Sequence, residues 1–296
     1  SLRARYPPEL TNGLVQLGFL GQMNPNPAEQ TGPREKDVLV IIPAFRSPQK
    51  LQRCLDALAG QTAAERIAVY VRDNSDDNIL FTAAINEGLR YGLSNPAFGY
   101  FLMLNQDCYL DTTAVAELLS FMAQYSGVGI AAPLQLDYSS PSQVLWGGSR
   151  RTFPGGIHFV GDAENYREPS LVTWANGAAA MIRRETVVEI GLLDENMRFM
   201  CSDSDYSYSA RARGWQIACV PAAKCLHEGG AAKTPGNTEL KRVIVNDYLY
   251  FAGKWFAGTL FKGLEDDGTY QCDLAALRQE YQAIANDLEK HGDTFL

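Results

Sequence analysis

The chain has 296 residues, 46% of them apolar and 20% charged, with a formal net charge of −8 at pH 7. These proportions fit a globular protein with a sizeable core, one large α/β domain with extensions rather than two independent domains. Without a Lys/Arg cluster the chain lacks the basic face needed to grip nucleic acid, yet it leaves room for a local site where a divalent cation meets a diphosphate.

Residues 1–36 carry Pro7, Pro8, Pro25, Pro27 and Pro33 with little apolar periodicity, which predicts an irregular arm with one short helix near Leu14 to Leu20. Val38 to Ile42 is a continuous branched apolar run ended by Pro43, as in a strand buried on both faces. Ser47 and Pro48 read as N-cap and first helical residue, followed by Leu51, Cys54, Leu55 and Leu58 at helical spacing and Gly60 as the stop. Ile67 to Val71 predicts a second strand, broken by Asp73-Asn74-Ser75-Asp76-Asp77, and Ile79 to Tyr91 a second helix closed by Gly92. Tyr100 to Leu104 predicts a third strand ended by Asn105-Gln106-Asp107, then comes a helix through Val115, Leu118, Leu119 and Met122, then a strand at Val128 to Ala131.

Alternation at this spacing implies a mostly parallel central sheet flanked by helices, with ligands beyond the carboxyl ends of its strands. Those ends carry Pro43-Ala44-Phe45, Asp73-Asn74 and Asn105-Gln106-Asp107. After residue 133 Gly147-Gly148, Pro154-Gly155-Gly156 and Gly161 predict loops and short strands, an acceptor-facing half appended to a nucleotide-facing half. Helices are expected at Arg184 to Ile190 and Asp203 to Arg213, a last strand at Gln216 to Val220, and further helices at Thr238 to Trp255 and Asp273 to His291. The resulting division is an arm over 1–36, a central α/β domain over 37–231 with its halves meeting at 132/133, and a helical extension over 232–296.

Six cysteines, at 54, 108, 201, 219, 225 and 272, show no C-x-x-C pair, and only three histidines are available to complete a zinc site. Free thiols in a reducing compartment are the simpler reading. With no charged-then-apolar leader and no apolar run of about 20 residues, the expected location is cytoplasmic. The aromatic segment Leu249 to Phe261 can rest on a membrane surface or a partner, or else close the core or form a dimer contact.

Four constellations can carry chemistry. Asp73 and Asp107 follow core strands, where one carboxylate can accept a pyrimidine N–H and another can hold Mg²⁺ or Mn²⁺ against a diphosphate; both can equally be turn formers. Ser202 and Asp205 resemble a capping box, which leaves Asp203 free to serve as a general base, its charge favoured by the helix dipole. His227, just past the last strand, suits a metal ligand or a hydrogen-bonded structural residue. Trp146, Trp174 and Asn176-Gly177 suit a sugar platform or an ordinary core.

In this order the residues resemble family 2 glycosyltransferases of the GT-A fold, rhamnosyltransferase-like members in particular, over roughly residues 37 to 231. The resemblance implies that Pro43, Ala44 and Phe45 touch the nucleoside and Asp73 its base. Asn105-Gln106-Asp107 is similar to the D-x-D element in N-x-D form, with Asp107 binding metal together with His227. Asp203 is implied as the base; beside it, Trp146, Trp174, Asn176 and Asp205 are the expected acceptor-binding residues. The expected enzyme is an inverting transferase using a nucleoside-diphosphate sugar, dTDP-rhamnose or a UDP-sugar, on a glycan or lipid-linked acceptor at the inner membrane face, as in cell-envelope polysaccharide synthesis. Two departures stand out: Ser202 replaces the usual Glu, which also admits a catalytically silent binding module, and Asn105 replaces an acidic residue. A nucleotide-sugar pyrophosphorylase is disfavoured, because Pro43 to Ser47 contains no glycine.

Overall fold

The computed structural model describes residues 36–151, 157–229 and 238–256. The arm and its short helix, the helix expected at Asp273 to His291, and Cys272 lie outside the described residues. The strands are β1 (Val38–Ala44), β2 (Ile67–Asp73), β3 (Tyr100–Leu104), β4 (Cys108–Leu110), β5 (Val128–Asp137), β6 (Ser140–Trp146), β7 (Ser149–Arg151), β8 (Ile157–His158), β9 (Gly161–Asp162), β10 (Ser170–Leu171), β11 (Ala179–Arg183) and β12 (Gln216–His227). The α-helices are α1 (Pro48–Ala59), α2 (Leu80–Leu93), α3 (Ala114–Gln124), α4 (Arg184–Ile190), α5 (Ser202–Ala212) and α6 (Thr238–Phe256).

β1 occupies the interior of the sheet because it has apolar side chains for both faces. Val38, Val40 and Ile42 pack with Cys54 and Leu58 of α1 and with α3, while Leu39 and Ile41 pack on the other side with Ile85 and Leu89 of α2 and with Tyr206 and Ala210 of α5. The main sheet has the order β10-β12-β5-β11-β3-β1-β2. β2, β1, β3, β5 and β12 run one way, and β11 and β10 run against them. The antiparallel β11 departs from the alternating pattern read in the sequence. It continues directly from the 176–178 segment, which lies beside the carboxyl end of β3, so the chain can only run back down the sheet.

Gly92, expected to stop the second helix, lies inside α2, which continues to Leu93. Its role is close approach: a Cβ there would come within 2.4 Å of the Phe101 ring, and one at Gly88 within 2.4 Å of Ile41 Cγ2. α2 therefore seats directly on the sheet. β12 is much longer than Gln216 to Val220, since it pairs in parallel with β5 as far as His227↔Asp137 and also, antiparallel, with β4. Between Val220 and Lys224 the register slips past Pro221, Ala222 and Ala223, which have no partners on β5. A proline that cannot donate to the ladder suits such a bulge. Among the described residues no helix is long and apolar enough to cross a membrane.

Candidate active site

The ends of β1, β2 and β3 are sewn together by polar contacts. Ala44 and Asp73 are register partners, and the Asn74 N–H donates to the Ala44 carbonyl at 2.8 Å. Beyond β1, Gln106 grips the backbone of Phe45 from both sides: the Phe45 N–H donates to Gln106 Oε1 at 3.1 Å, and Gln106 Nε2 donates to the Phe45 carbonyl at 2.9 Å. The amide side chain thus continues the ladder after the strands have ended. Phe45 stays exposed, with the Arg46 guanidinium 5.0 Å over its ring. Pro43 is the β1 partner of Arg72, whose guanidinium donates to the Asp73 carbonyl and pairs with Asp77 and Glu87. Asp73 itself is exposed, and the Ser75 hydroxyl and N–H hold its carboxyl below the usual range.

Asp107 precedes β4, whose antiparallel pairing with β12 sets His227 opposite Cys108. Asp107 Oδ1 lies 3.6 Å from His227 Nε2, and the Asp107 carbonyl accepts the Glu228 N–H at 3.1 Å. Burial works to raise the Asp107 carboxyl, but hydrogen bonding and charge from His227, with Lys50 behind, outweigh it and leave the pKa below the usual value. Glu228 in turn gathers Lys50 at 2.8 Å, Arg53 at 3.3 Å and the Tyr109 hydroxyl at 2.5 Å. Among the described residues no three His, Cys, Asp or Glu side chains form a ready metal cage. Asp107 and His227 still offer a hard oxygen and an imidazole side by side, a donor pair that fits Mn²⁺ or Mg²⁺ when a diphosphate supplies further oxygens.

Asp203 stands in the first turn of α5 and is half-buried. Its Oδ2 accepts the Gly177 N–H at 2.8 Å, and its Oδ1 accepts the Ser204 N–H at 2.8 Å. A side chain at 177 could not be admitted without displacement, since a Cβ would lie 3.1 Å from Asp203 Cβ and 3.2 Å from Phe81. The residue just past β3 closes the circuit: the Asn105 N–H donates to the Ala178 carbonyl at 2.8 Å, and Asn176 Oδ1 accepts the Ala178 N–H. The 176–178 segment therefore links the Asn105–Asp107 turn to Asp203. Burial raises the Asp203 carboxyl above its ordinary value despite these hydrogen bonds.

Three expectations need correction. The capping box does not form, because the N-cap position is Cys201, in the left-handed region at φ 64°, with no side-chain cap bond. Asp205 is buried rather than facing an acceptor: Trp255 Nε1 donates to its Oδ1 at 2.7 Å and Lys254 Nζ lies 2.8 Å from the same atom. Trp146 presents no platform either, being fully buried with its indole N–H on Ser149 Oγ at 2.6 Å. Trp174 is also buried, edge-on to the His158 ring at 5.4 Å, but its indole N–H has no hydrogen-bond partner among the described residues.

The sequence matches no family profile, and no curated protein matches it. Solved structures do resemble it. A mannosyltransferase, PcManGT from Pyrobaculum calidifontis in complex with GDP-Man and Mn²⁺, aligns with TM-score 0.55 at 15% identity over 98% of this chain and 84% of that one. GalNAc-T7, solved with UDP, GalNAc and Mn²⁺, aligns with TM-score 0.52 at 15% identity over 96% of this chain and 64% of that one, so this chain spans less than two thirds of the GalNAc-T7 chain. The chain has the GT-A fold.

Within that GT-A frame, two residues beside the site escaped sequence reading. Gln106 sits inside the N-x-D element, and nothing local distinguishes its variable middle position. His158 lies in β8, with Nδ1 3.2 Å from the Leu145 carbonyl, and it feels the charges of both Asp203 and His227. A lone histidine in a glycine-rich stretch carries no periodic or spacing signal. Burial holds its pKa below the ordinary imidazole value, which favours the neutral ring.

Proposed function

We propose that the chain is an inverting glycosyltransferase that moves a sugar from a nucleoside-diphosphate donor to a hydroxyl of a glycan or lipid-linked acceptor. The observation that carries this reading is the bonded path from the Asn105–Asp107 turn through Ala178 and Gly177 to Asp203, which ties a candidate diphosphate site to a candidate base. The GT-A neighbours, solved with UDP or GDP-Man and with Mn²⁺, support a nucleotide donor and a divalent cation here as well.

In this reading the nucleoside rests on Ala44 and Phe45, with Asp73 placed to accept a ring N–H from a uridine or thymidine base. Asp107 and His227 hold the cation. When bound, the cation supplies Lewis-acid stabilisation of the departing diphosphate, worth several kcal/mol. Asp203 removes the acceptor proton as the acceptor oxygen attacks the anomeric carbon on the face opposite the leaving group. Its raised pKa makes it a stronger base once ionised, and Gly177 and Ser204 hold the carboxylate in one orientation.

The deciding experiment incubates the protein with Mn²⁺ and UDP-, dTDP- and GDP-sugars, following donor hydrolysis and transfer for the wild type and for Asp203→Asn. Turnover by the wild type that disappears in Asp203→Asn, with nucleotide binding retained in both, is the expected result. Nucleotide binding without turnover in the wild type would instead identify a silent binding module.

A further inference from the structure

We infer that α6 is a positioning device for Asp203, and that Asp247 and Lys254 are the residues through which it acts. This rests on the glycosyltransferase reading proposed above. The face of α6 formed by Asp247, Phe251, Lys254 and Trp255 has helical spacing and turns toward the segment between α4 and α5. Asp247, Phe251 and Trp255 are all buried there, and Tyr208 of α5 packs against the Phe251 and Trp255 rings at 5.8 and 5.3 Å.

Asp247 receives three consecutive backbone N–H groups. Arg198 donates to Oδ1 at 3.0 Å, and Phe199 and Met200 donate to Oδ2 at 2.7 and 2.8 Å. Consecutive N–H groups converging in this way form a concave anion nest, here filled by the protein's own carboxylate. From the opposite side Thr82 of α2 holds the same segment, its N–H donating to the Arg198 carbonyl at 3.0 Å and its hydroxyl to the Met197 carbonyl at 2.5 Å. Lys254 completes the clamp by bridging Asp194, at 3.0 Å, and Asp205, at 2.8 Å, the two ends of the stretch that contains Asp203.

The clamp is needed because of the backbone at Cys201. That residue takes a left-handed conformation, unfavourable for any side-chain-bearing residue, and it does so two positions before Asp203. Such a conformation persists only where its surroundings enforce it. The three N–H bonds at 198–200 enforce the approach, and the Asp205 contacts with Lys254 and Trp255 enforce the exit. The side chain between them is then delivered to Gly177. Among the described residues, the hydrogen bonds and ion pairs of Ala44, Phe45, Asp73, Asp107 and His227 are made with partners outside α6. Hence α6 acts on the base and not on the donor floor.

The test compares the wild type, Asp247→Asn, Lys254→Met and Lys254→Arg, measuring kcat and donor KM for transfer, nucleotide binding by titration, and amide hydrogen exchange. Asp247→Asn keeps the size of the side chain but turns an N–H toward the nest. Expected are a fall in kcat of about 10²-fold, the scale of a misplacement of about 1 Å, with nucleotide affinity unchanged and faster exchange confined to 198–204. Lys254→Met should fall in the same direction and Lys254→Arg should recover most of the rate. Unchanged kcat despite faster exchange at 198–204 would overturn the inference, and so would a parallel loss of nucleotide affinity, which would make α6 a general support of the fold. Failure of the glycosyltransferase reading is separately visible as a wild type that binds nucleotide but transfers nothing.

Discussion

The proposed donor side and the proposed acceptor side of the candidate site are built on different principles. On the proposed donor side, Ala44 and Asp73 are the register-paired last residues of β1 and β2, and Asp107 lies in the turn between β3 and β4 whose Gln106 braces the Phe45 backbone. On the acceptor side, Asp203 depends on Gly177, on the left-handed Cys201 and on Asp247, which comes 44 residues later in the sequence. A strand end is positioned by the whole sheet, whereas a loop end is positioned only by the partners it can recruit. The donor side should therefore tolerate change around it, and the acceptor side should fail locally and early.

Perturbing each side in turn sharpens the contrast. The largest effect is expected for Asp203→Asn, a loss of about 10²- to 10⁴-fold in kcat at unchanged nucleotide affinity. The same carboxyl should set the acid limb of the kcat/KM profile. Since burial raises its pKa and the base works only when ionised, activity should fall on acidification at a pH above the ordinary aspartate value of about 3.9, and this limb should be absent from the residual activity of Asp203→Asn. Trp146→Ala should cost about 3–5 kcal/mol of stability, read from denaturant unfolding, because a fully buried indole leaves a cavity and an unsatisfied Ser149 hydroxyl. An undiminished midpoint would return Trp146 to the acceptor surface.

Smaller effects belong to the donor floor. Gln106→Ala removes both bonds to the Phe45 backbone and should weaken nucleotide binding by about 1–2 kcal/mol, or about five- to thirtyfold, while leaving kcat at saturating donor nearly intact. Asp73→Asn should do least, a few-fold weaker binding of uridine or thymidine diphosphate with no shift in Tm, because among the described residues the exposed carboxylate supports only Ser75. Guanosine diphosphate binding that weakened equally would count against base reading by Asp73.

The same division decides how much of the molecule is legible in its sequence. β1 and β3 arise from local apolar runs, and Asp73 and Asp107 are polar residues at or just beyond the ends of such runs, so their place relative to the sheet can be read without any long-range information. Asp203 and Asp205 cannot be told apart in this way, since both sit in one acidic helix start. They are separated by Gly177 on one side and by Lys254 and Trp255 on the other, partners 26, 49 and 50 residues distant. Trp146 and Trp174 pose the same difficulty, because an indole suits a core and a sugar face alike until the neighbours of its N–H are known. The three backbone amides that Asp247 satisfies leave no trace in residue identity at all, since backbone groups are the same everywhere.

The bulge at Pro221 to Ala223 carries one more consequence. Side chains on a strand alternate between faces, so an odd number of unpaired residues inserted midway reverses the facing of everything downstream. Gln216 to Val220 and Lys224 to His227 both pair with β5, so the excess of three residues between them is what puts the odd-numbered Cys225 on the face that Ala218 and Val220 occupy upstream and brings His227 beside Asp107. The bulge thus joins two stretches of one strand that present opposite sequence parities to the same face of the sheet.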